Sequence, residues 1–174
     1  MTILSSLRRG LEAGAIGTLA MDTLLYSRYR RGAGQSSFLS WESSEGVVSW
    51  DDAPAPARVA KKLLERGLRR EVRPRHVRTL NNLMHWGFGL ASGAAFGLLI
   101  GRRGSRASYG LPFGAAVWAG GYILLPELGV YEPIWKYDLR TLEQDLTAHL
   151  VFGTATATAF TLLTDLGTKG ACNE

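Results

Sequence analysis

The sequence predicts an all-α integral membrane protein: a bundle of four transmembrane helices, with one amphipathic interfacial helix in the first loop. Two observations predict it, and the first is that charges are segregated. No Asp, Glu, Lys or Arg lies between Ala107 and Pro126 or between Leu146 and Thr164, whereas Arg58 to Arg78 is densely basic. Such alternation is typical of apolar spans joined by charged loops. The mean hydropathy of +0.00, which taken alone suits a soluble domain, averages over these unlike segments.

The second observation is the placement of glycine. The chain has 21 glycines, many of them inside the apolar runs, where membrane helices tolerate glycine better than soluble helices do. Several recur at every fourth position, so that one helix face carries only small side chains. Small-xxx-small spacing lets membrane helices pack backbone against backbone. The spans are therefore expected to associate closely.

The first span is predicted over about residues 9–27 and is the weakest, because it contains Glu12 and Asp22. Those acids, together with the lack of a small-residue cleavage pattern, argue for a first helix and against a removed signal peptide. Its four-step line is Gly10, Gly14, Thr18, Asp22 and Tyr26. A parallel line of Ala13, Gly17 and Met21 widens the small face.

The first loop, residues 32–78, is predicted to lie on the membrane surface. Its first part, 32–53, has the composition of a polar loop, and a helical pattern follows from Pro54 to Arg70. A basic amphipathic helix of this kind is expected to bind anionic lipid head groups. A protein-binding helix, or a surface helix packed on the end of the bundle, are the alternatives. The lipid-facing cations are predicted to be Lys61, Lys62, Arg66, Arg69 and Arg70.

Three further spans are predicted at about 80–101, 107–126 and 143–165. The four-step line of the second begins with polar residues and continues with glycines: Asn81, His85, Gly89, Gly93 and Gly97. The third carries Gly110, Gly114, Trp118 and Tyr122, and the fourth repeats the second with Asp145, His149, Gly153, Ala157 and Thr161. The whole chain, residues 1–174, is expected to form a single membrane domain.

Four alternating spans bring one set of polar residues to the same end of the bundle. The members of this layer are Asp22, Asn81, His85, Glu127, Asp145 and His149. An aspartate in a membrane helix costs about 2.5 to 3.5 kcal/mol on insertion scales, so such groups face the bundle interior and pair. Structural hydrogen bonding between helices is one interpretation. A proton relay, a divalent-metal site or haem held by His85 and His149 are the functional ones.

No metal or cofactor is predicted as such. The chain lacks His-x-x-x-His and Glu-x-x-His spacings, and close packing of the small faces leaves little room for haem. It also lacks Gly-x-Ser-x-Gly, His-Glu-x-x-His and a phosphate-binding glycine loop, so no catalytic residue is assigned and an enzyme is disfavoured.

The net charge and the distribution of Lys and Arg among the loops indicate which partners the protein binds and how it is oriented in the membrane. A net charge of +5 suits anionic lipid, and no nucleic-acid motif accompanies it. Lys and Arg are more numerous in the loops at the polar-layer end, which the positive-inside rule places in the cytoplasm. Exposed small-residue faces would also permit a homo-oligomer. The single cysteine, Cys172, excludes an intramolecular disulfide.

Three pieces of the chain resemble the YagU-like group of small uncharacterised bacterial inner-membrane proteins. They are the first helix with Gly14, Gly17, Met21 and Asp22, the second beginning His85, Trp86, Gly87, and the segment Pro126 to His149 with Pro133, Trp135 and Glu143. The loop from Gly32 to Asp52 has no counterpart. The resemblance implies a location in the bacterial plasma membrane and an association with acid tolerance, and no reaction.

Two hypotheses of function follow. The first is a membrane protein of structural or accessory type, linked to the envelope or to acid and proton homeostasis. The alternative is a ligand-binding or transport protein that uses the intramembrane His and carboxylate layer.

Overall fold

The computed structural model describes residues 2–104 and 106–171, and within them the chain is all-helical, with six α-helices and no β-strand. Four helices are long: α1 (Ile3–Arg31), α4 (Val77–Leu99), α5 (Gly110–Glu127) and α6 (Leu139–Ala171). Two shorter ones, α2 (Phe38–Glu42) and α3 (Ala55–Leu68), lie between α1 and α4. The long helices correspond to the four predicted spans.

Local chemistry explains several helix ends. The Thr2 side chain accepts a hydrogen bond from the backbone N–H of Ser5 and caps α1, and Asp138 does the same for Thr141 at the start of α6, at 2.8 Å. Pro54 precedes α3, and Arg69 ends it in the left-handed conformation. After α5, the chain turns at Gly129, whose φ of 62° favours glycine.

The long helices lie side by side in the order α4, α1, α6, α5. Helix α1 packs along both α4 and α6, α5 packs on α6, and α3 packs on α4. The backbones of α4 and α6 are largely separated by α1, and these two helices meet mainly through the side chains of Phe96 and Phe160. Neighbouring helices are antiparallel, so the end of α1, the start of α4, the end of α5 and the start of α6 share one end of the bundle, here called the polar end.

The seam between α1 and α4 is formed by the two predicted small-residue lines. A Cβ added to Gly14 would lie 2.5 Å from the carbonyl oxygen of Gly89 and 3.0 Å from the Cα of Gly93. One turn further on, the hydroxyl of Thr18 covers Gly89, and next comes Asp22, which meets His85. The two lines therefore contact each other in register, glycine against glycine and polar group against polar group.

The α5–α6 seam follows the same rule. Gly110 packs against the backbone of Gly153 and Thr154, and Gly114 packs against the backbone of His149. The second small line of α1 faces α6, where Gly17 contacts the Thr156 hydroxyl. These close approaches leave no room for a side chain at Gly110, Gly114 or Gly17.

The apolar core lies toward the other end of the bundle. Phe96 and Phe160 are fully buried, with ring centroids 5.7 Å apart, and Ala13 and Ala157 pack beside them. The aromatic pair fills the space between α4 and α6 where α1 presents only small residues.

Among the described helices, α6 alone is both long and apolar enough to cross a membrane, over Leu139–Gly167. The prediction of four transmembrane helices is thus confirmed only as an all-helical bundle with one candidate span. Charged residues such as Arg8, Arg9 and Glu12 lower the hydropathy of α1, and glycine, which contributes little hydropathy, dilutes α4 and α5.

The first loop differs from its prediction in one respect. Residues 32–53, expected to form a surface loop, contain helix α2, which folds back on α1. Helix α3 is present as expected. Its Ala57 is buried beside Val77 and its Ala60 is also buried, whereas Leu63, Leu64 and Leu68 are exposed.

Candidate functional site

An aromatic cluster holds α2 against the C-terminal turns of α1. The ring of Tyr26 lies 5.2 Å from Phe38 and 5.5 Å from Trp41, and Tyr29 lies 6.2 Å from Trp41. Ser37 caps the short helix by accepting from the backbone N–H of Ser40. The last residue of α2, Glu42, is thereby carried over the polar end of the bundle.

Polar residues at the start of α4 hold the segment from Glu42 to Ser44. The Asn81 side-chain amide donates to the Ser44 hydroxyl at 2.8 Å, and the Asn82 amide donates to the Ser43 carbonyl at 3.1 Å. Trp86 Nε1 donates to Glu42 Oε1 at 3.0 Å. Together these three bonds define the position of the Glu42 carboxylate.

Asp22, Glu42 and His85 form a triad at this point. His85 Nε2 lies 3.0 Å from both carboxylate oxygens of Asp22, and one ligand atom from each of the three residues lies within 4.8 Å of the others. Asp22 is only 2% exposed, and the other two are partly buried. A protonated Nε2 donates to Asp22, whereas a deprotonated Nε2 offers a lone pair to a cation.

Burial raises the pKa of the Glu42 carboxyl, and the nearby Asp22 carboxylate raises it further. Two carboxylates so close together, one of them buried, disfavour the doubly ionised state. A proton or a metal cation between them relieves that repulsion. The triad therefore has an electrostatic preference for positive charge.

The ligand types and spacing suit a divalent transition metal. One imidazole nitrogen and two carboxylates are common ligands of such ions, at about 2.0 to 2.2 Å from the ion. The Trp86 bond engages one oxygen of Glu42 and so orients the carboxylate, as outer-sphere partners of metal ligands do. The Asn81 side-chain oxygen, one turn before His85, is buried without a hydrogen-bond partner in the described residues.

The predicted residues of α6 belong to a different cluster. His149 Nδ1 donates within its own helix to the Asp145 carbonyl oxygen at 2.8 Å, and it lies 3.5 Å from the Asp145 carboxylate. The ring of Tyr131 lies 5.3 Å from Tyr122 and 6.0 Å from Tyr137. Burial, followed by the Asp145 carboxylate, raises the pKa of Tyr131 to about 12.

The predicted polar layer is therefore two clusters, one at α1–α4 and one at α5–α6. His85 and His149 each engage a different aspartate, Asp22 and Asp145, and share no hydrogen-bond partner among the described residues. Glu127 is exposed and lies in neither hydrogen-bonded cluster. The physical reason is that α1 separates α4 from α6.

The basic residues predicted to face lipid are divided. Lys61 lies 3.3 Å from Glu65 and 5.5 Å from the centre of the Trp50 ring, and Lys62 donates to the Gly129 carbonyl at 2.9 Å. The remaining three cations, Arg66, Arg69 and Arg70, are exposed beside the exposed leucines of α3.

Glu42 is the residue that sequence reasoning missed. It lies in a segment with no apolar periodicity, and nothing in its neighbours marks it as part of a site. The only available signal was aromatic: Phe38 and Trp41 precede it at the spacing of one helix face, matching the aromatic end of α1.

Comparison with known proteins identifies no matching family, no matching curated protein and no matching solved structure. The resemblance to the YagU-like group therefore stays a prediction.

Proposed function

We propose that this chain is an integral protein of the bacterial plasma membrane that binds a divalent transition-metal cation at the triad of Asp22, Glu42 and His85. The observation that carries the proposal is the convergence of three ligand atoms within 4.8 Å around a buried carboxylate. An isolated ionised carboxylate is costly to bury, and a bound cation offsets that cost.

Exposed apolar surface supports the membrane part of the proposal. Only 39% of the most apolar stretch of α6 is buried, whereas the core helix of a soluble protein is mostly buried. Large exposed apolar side chains recur on every long helix: Ile16 and Leu19, Leu83 and Phe88, Leu111, Ile123 and Leu124, Leu162 and Leu166. Soluble monomers rarely expose apolar patches of this extent. If all four long helices span the membrane and α3 lies in the interface, lipid would cover these apolar side chains.

The nitrogen and oxygen ligand set favours ions such as Zn²⁺ or Mn²⁺ over soft ions that require thiolates. Binding requires deprotonated carboxylates and a free Nε2 lone pair, so protons compete with the metal. Aspartate, glutamate and histidine come from three different helices, and the bound ion would therefore hold α2 against α1 and α4.

Acid or proton homeostasis is the second candidate function, and the raised pKa of Glu42 favours it. A triad that takes up a proton at higher pH than an ordinary glutamate responds to acidification without any metal. A structural or accessory membrane protein would need neither property.

Metal binding is tested on purified protein in detergent, stripped with a chelator and titrated with Zn²⁺ and Mn²⁺ in equilibrium dialysis. We expect one ion per chain, and at least about a tenfold loss of affinity in Asp22→Asn and in His85→Gln, as for removal of a metal ligand or its close partner. His149→Gln is the matched control, since it removes the histidine of the other cluster. Circular dichroism and gel filtration establish that each variant is folded.

Absence of saturable binding in the wild type would refute the metal proposal. Equal loss in His149→Gln and His85→Gln would also refute it, because the ion would then not be held by the triad.

A further inference from the structure

An open apolar groove runs along α6 on the outside of the bundle. It has a volume of about 720 Å³ and is bordered by Ile16 of α1 and Leu111 of α5. Its floor is the face of α6 from Thr147 to Leu163, which at 1.5 Å per residue is about 24 Å long. The floor is almost entirely apolar, with Leu150, Val151 and Ala155 along it.

A cationic cleft opens at the polar end of the same groove. It has a volume of about 540 Å³ and is lined by Arg28 and Arg31 of α1 and by Arg140, with Glu143 as its acidic residue. Thr147 lines both cavities, so the cleft and the groove adjoin at this residue. Three arginines and one glutamate leave the cleft with a surplus of positive charge.

The arginines of the cleft differ in freedom. Arg28 donates from Nη1 to the carbonyl oxygen of Gln144 at 2.7 Å, which fixes its guanidinium on α6. The side chains of Arg31 and Arg140 are exposed. Guanidinium groups bind phosphate oxygens in pairs of parallel hydrogen bonds, and each such bond is stronger than one between neutral groups.

We propose that this groove and cleft form a binding site for one anionic phospholipid, with the phosphate among Arg28, Arg31 and Arg140 and an acyl chain along the apolar floor. Charge complementarity selects the head group, and the two cavities, which share Thr147, together suit a ligand that is anionic at one end and apolar along its length. This inference rests on the membrane location given in the proposed function, and it is independent of the metal. The site is separate from the basic face of α3, which would contact the lipid surface collectively.

The proposal is tested by native mass spectrometry of the detergent-purified chain, titrated with phosphatidylglycerol or with phosphatidylcholine of the same acyl chains. We expect one phosphatidylglycerol to bind at least about tenfold more tightly than phosphatidylcholine. Both lipids carry the phosphate, but the choline ammonium of phosphatidylcholine cancels the negative charge and is repelled by the arginines of the cleft. Arg31→Gln combined with Arg140→Gln should abolish that preference. Arg66→Gln combined with Arg69→Gln removes the same charge from α3 and should preserve it.

A second variant tests the groove. Ala155→Trp fills the apolar floor without changing charge, and should weaken both lipids. Glycerol 3-phosphate alone should not compete with phosphatidylglycerol, because it cannot use the floor.

Four results would overturn the proposal. Equal affinity for the two lipids, or an undiminished preference in the double arginine variant, would show that the cleft does not select the head group. Competition by glycerol 3-phosphate would indicate a site for free phosphate, and a dimer that Ala155→Trp dissociates would indicate that a second copy occupies the groove. Zn²⁺ retention measured in the same spectra distinguishes these outcomes from failure of the metal site.

Discussion

Asp22 determines the chemistry of the polar end because it is the most buried acid of the described residues and lies where two helices meet. It accepts from His85 with both oxygens, and its charge acts on Glu42. His85 contributes the nitrogen and Trp86 orients the third residue. Each role belongs to one side chain and can be removed separately.

Replacing Glu42 by Gln should change how stability depends on pH. Because burial and Asp22 raise the pKa of Glu42, the folded state holds its proton to higher pH than the unfolded state does. The corresponding stabilisation is fully present below the ordinary glutamate pKa and is lost as pH rises through the folded value. In metal-free detergent solution, the wild-type melting temperature should therefore fall over this interval relative to that of Glu42→Gln. Thermal melts at a series of pH values measure this difference.

Glu45→Gln is the control, since Glu45 is an exposed glutamate three residues away. It should retain the wild-type profile. Parallel profiles for the wild type and Glu42→Gln would contradict the expected proton uptake.

At the scale of the helix, recognition depends on the four-residue spacing of small residues. The line on α1 runs from glycine to a polar residue, and the line on α4 runs from a polar residue to glycine. Antiparallel packing therefore brings glycine to glycine and Asp22 to His85. Helix α1 uses its second line for α6, and α5 uses its glycines for the same helix. The site is thus aligned by backbone contacts one to two turns away along each helix.

Gly93→Ala should destabilise the bundle, whereas Gly87→Ala in the same helix should not. A Cβ on Gly93 would collide with the Gly10 carbonyl oxygen and the Gly14 Cα, which are backbone atoms and can only move with the helix. Overpacking of this kind costs about 1 to 3 kcal/mol. At Gly87 an added Cβ meets nothing within 4 Å, and the gain in helix propensity amounts to at most about 1 kcal/mol. Melting temperatures of both variants in one detergent compare them directly.

The Gly93→Ala and Gly87→Ala variants also test whether metal binding at the triad depends on close packing of α1 on α4. Gly93→Ala should weaken Zn²⁺ binding, because separating α1 from α4 moves Asp22 away from His85. Unchanged stability in Gly93→Ala would mean that the α1–α4 seam has room for an added methyl group.

At the scale of the whole molecule, the antiparallel order of the long helices decides which loops share a side. The α2–α3 region and the turn between α5 and α6 lie at the polar end, and the turn between α4 and α5 lies at the other. If all four long helices cross the membrane, these two sets of loops face different compartments. The excess of Lys and Arg at the polar end predicts that it is cytoplasmic.

Single cysteines in a Cys172→Ser background test this topology. Val48→Cys and Trp135→Cys, at positions 73% and 81% exposed, should react with an impermeant maleimide only after the cells are lysed. Arg106→Cys, in the turn at the other end, should react in intact cells. Labelling of all three from the same side would contradict four spans, and release of the chain by carbonate would contradict membrane insertion altogether.

Much of the fold could be predicted from the sequence because its signals are local. The segregation of charge, the four-residue periodicity and the proline and aspartate near helix starts together predicted the four long helices and α3. The same periodicity identified which face of α1 and of α4 packs, and therefore that Asp22 and His85 lie on packed faces. Whether α1, α4 and α5 cross a membrane depends on hydropathy, which their charges and glycines dilute.

The tertiary structure alone decided which faces meet. Sequence periodicity identifies the packed face of a helix but not the helix that packs against it. The similar lines of α4 and α6 therefore suggested a pair of histidines. In the structure α1 lies between those helices, and its Asp22 hydrogen-bonds His85. Glu42 lies in the site because α2 folds back on α1 through contacts among Tyr26, Phe38 and Trp41. Contacts between residues distant in sequence leave no periodic signal. The chain by itself determined the helices and their small faces, and the packing order of the helices determined the site.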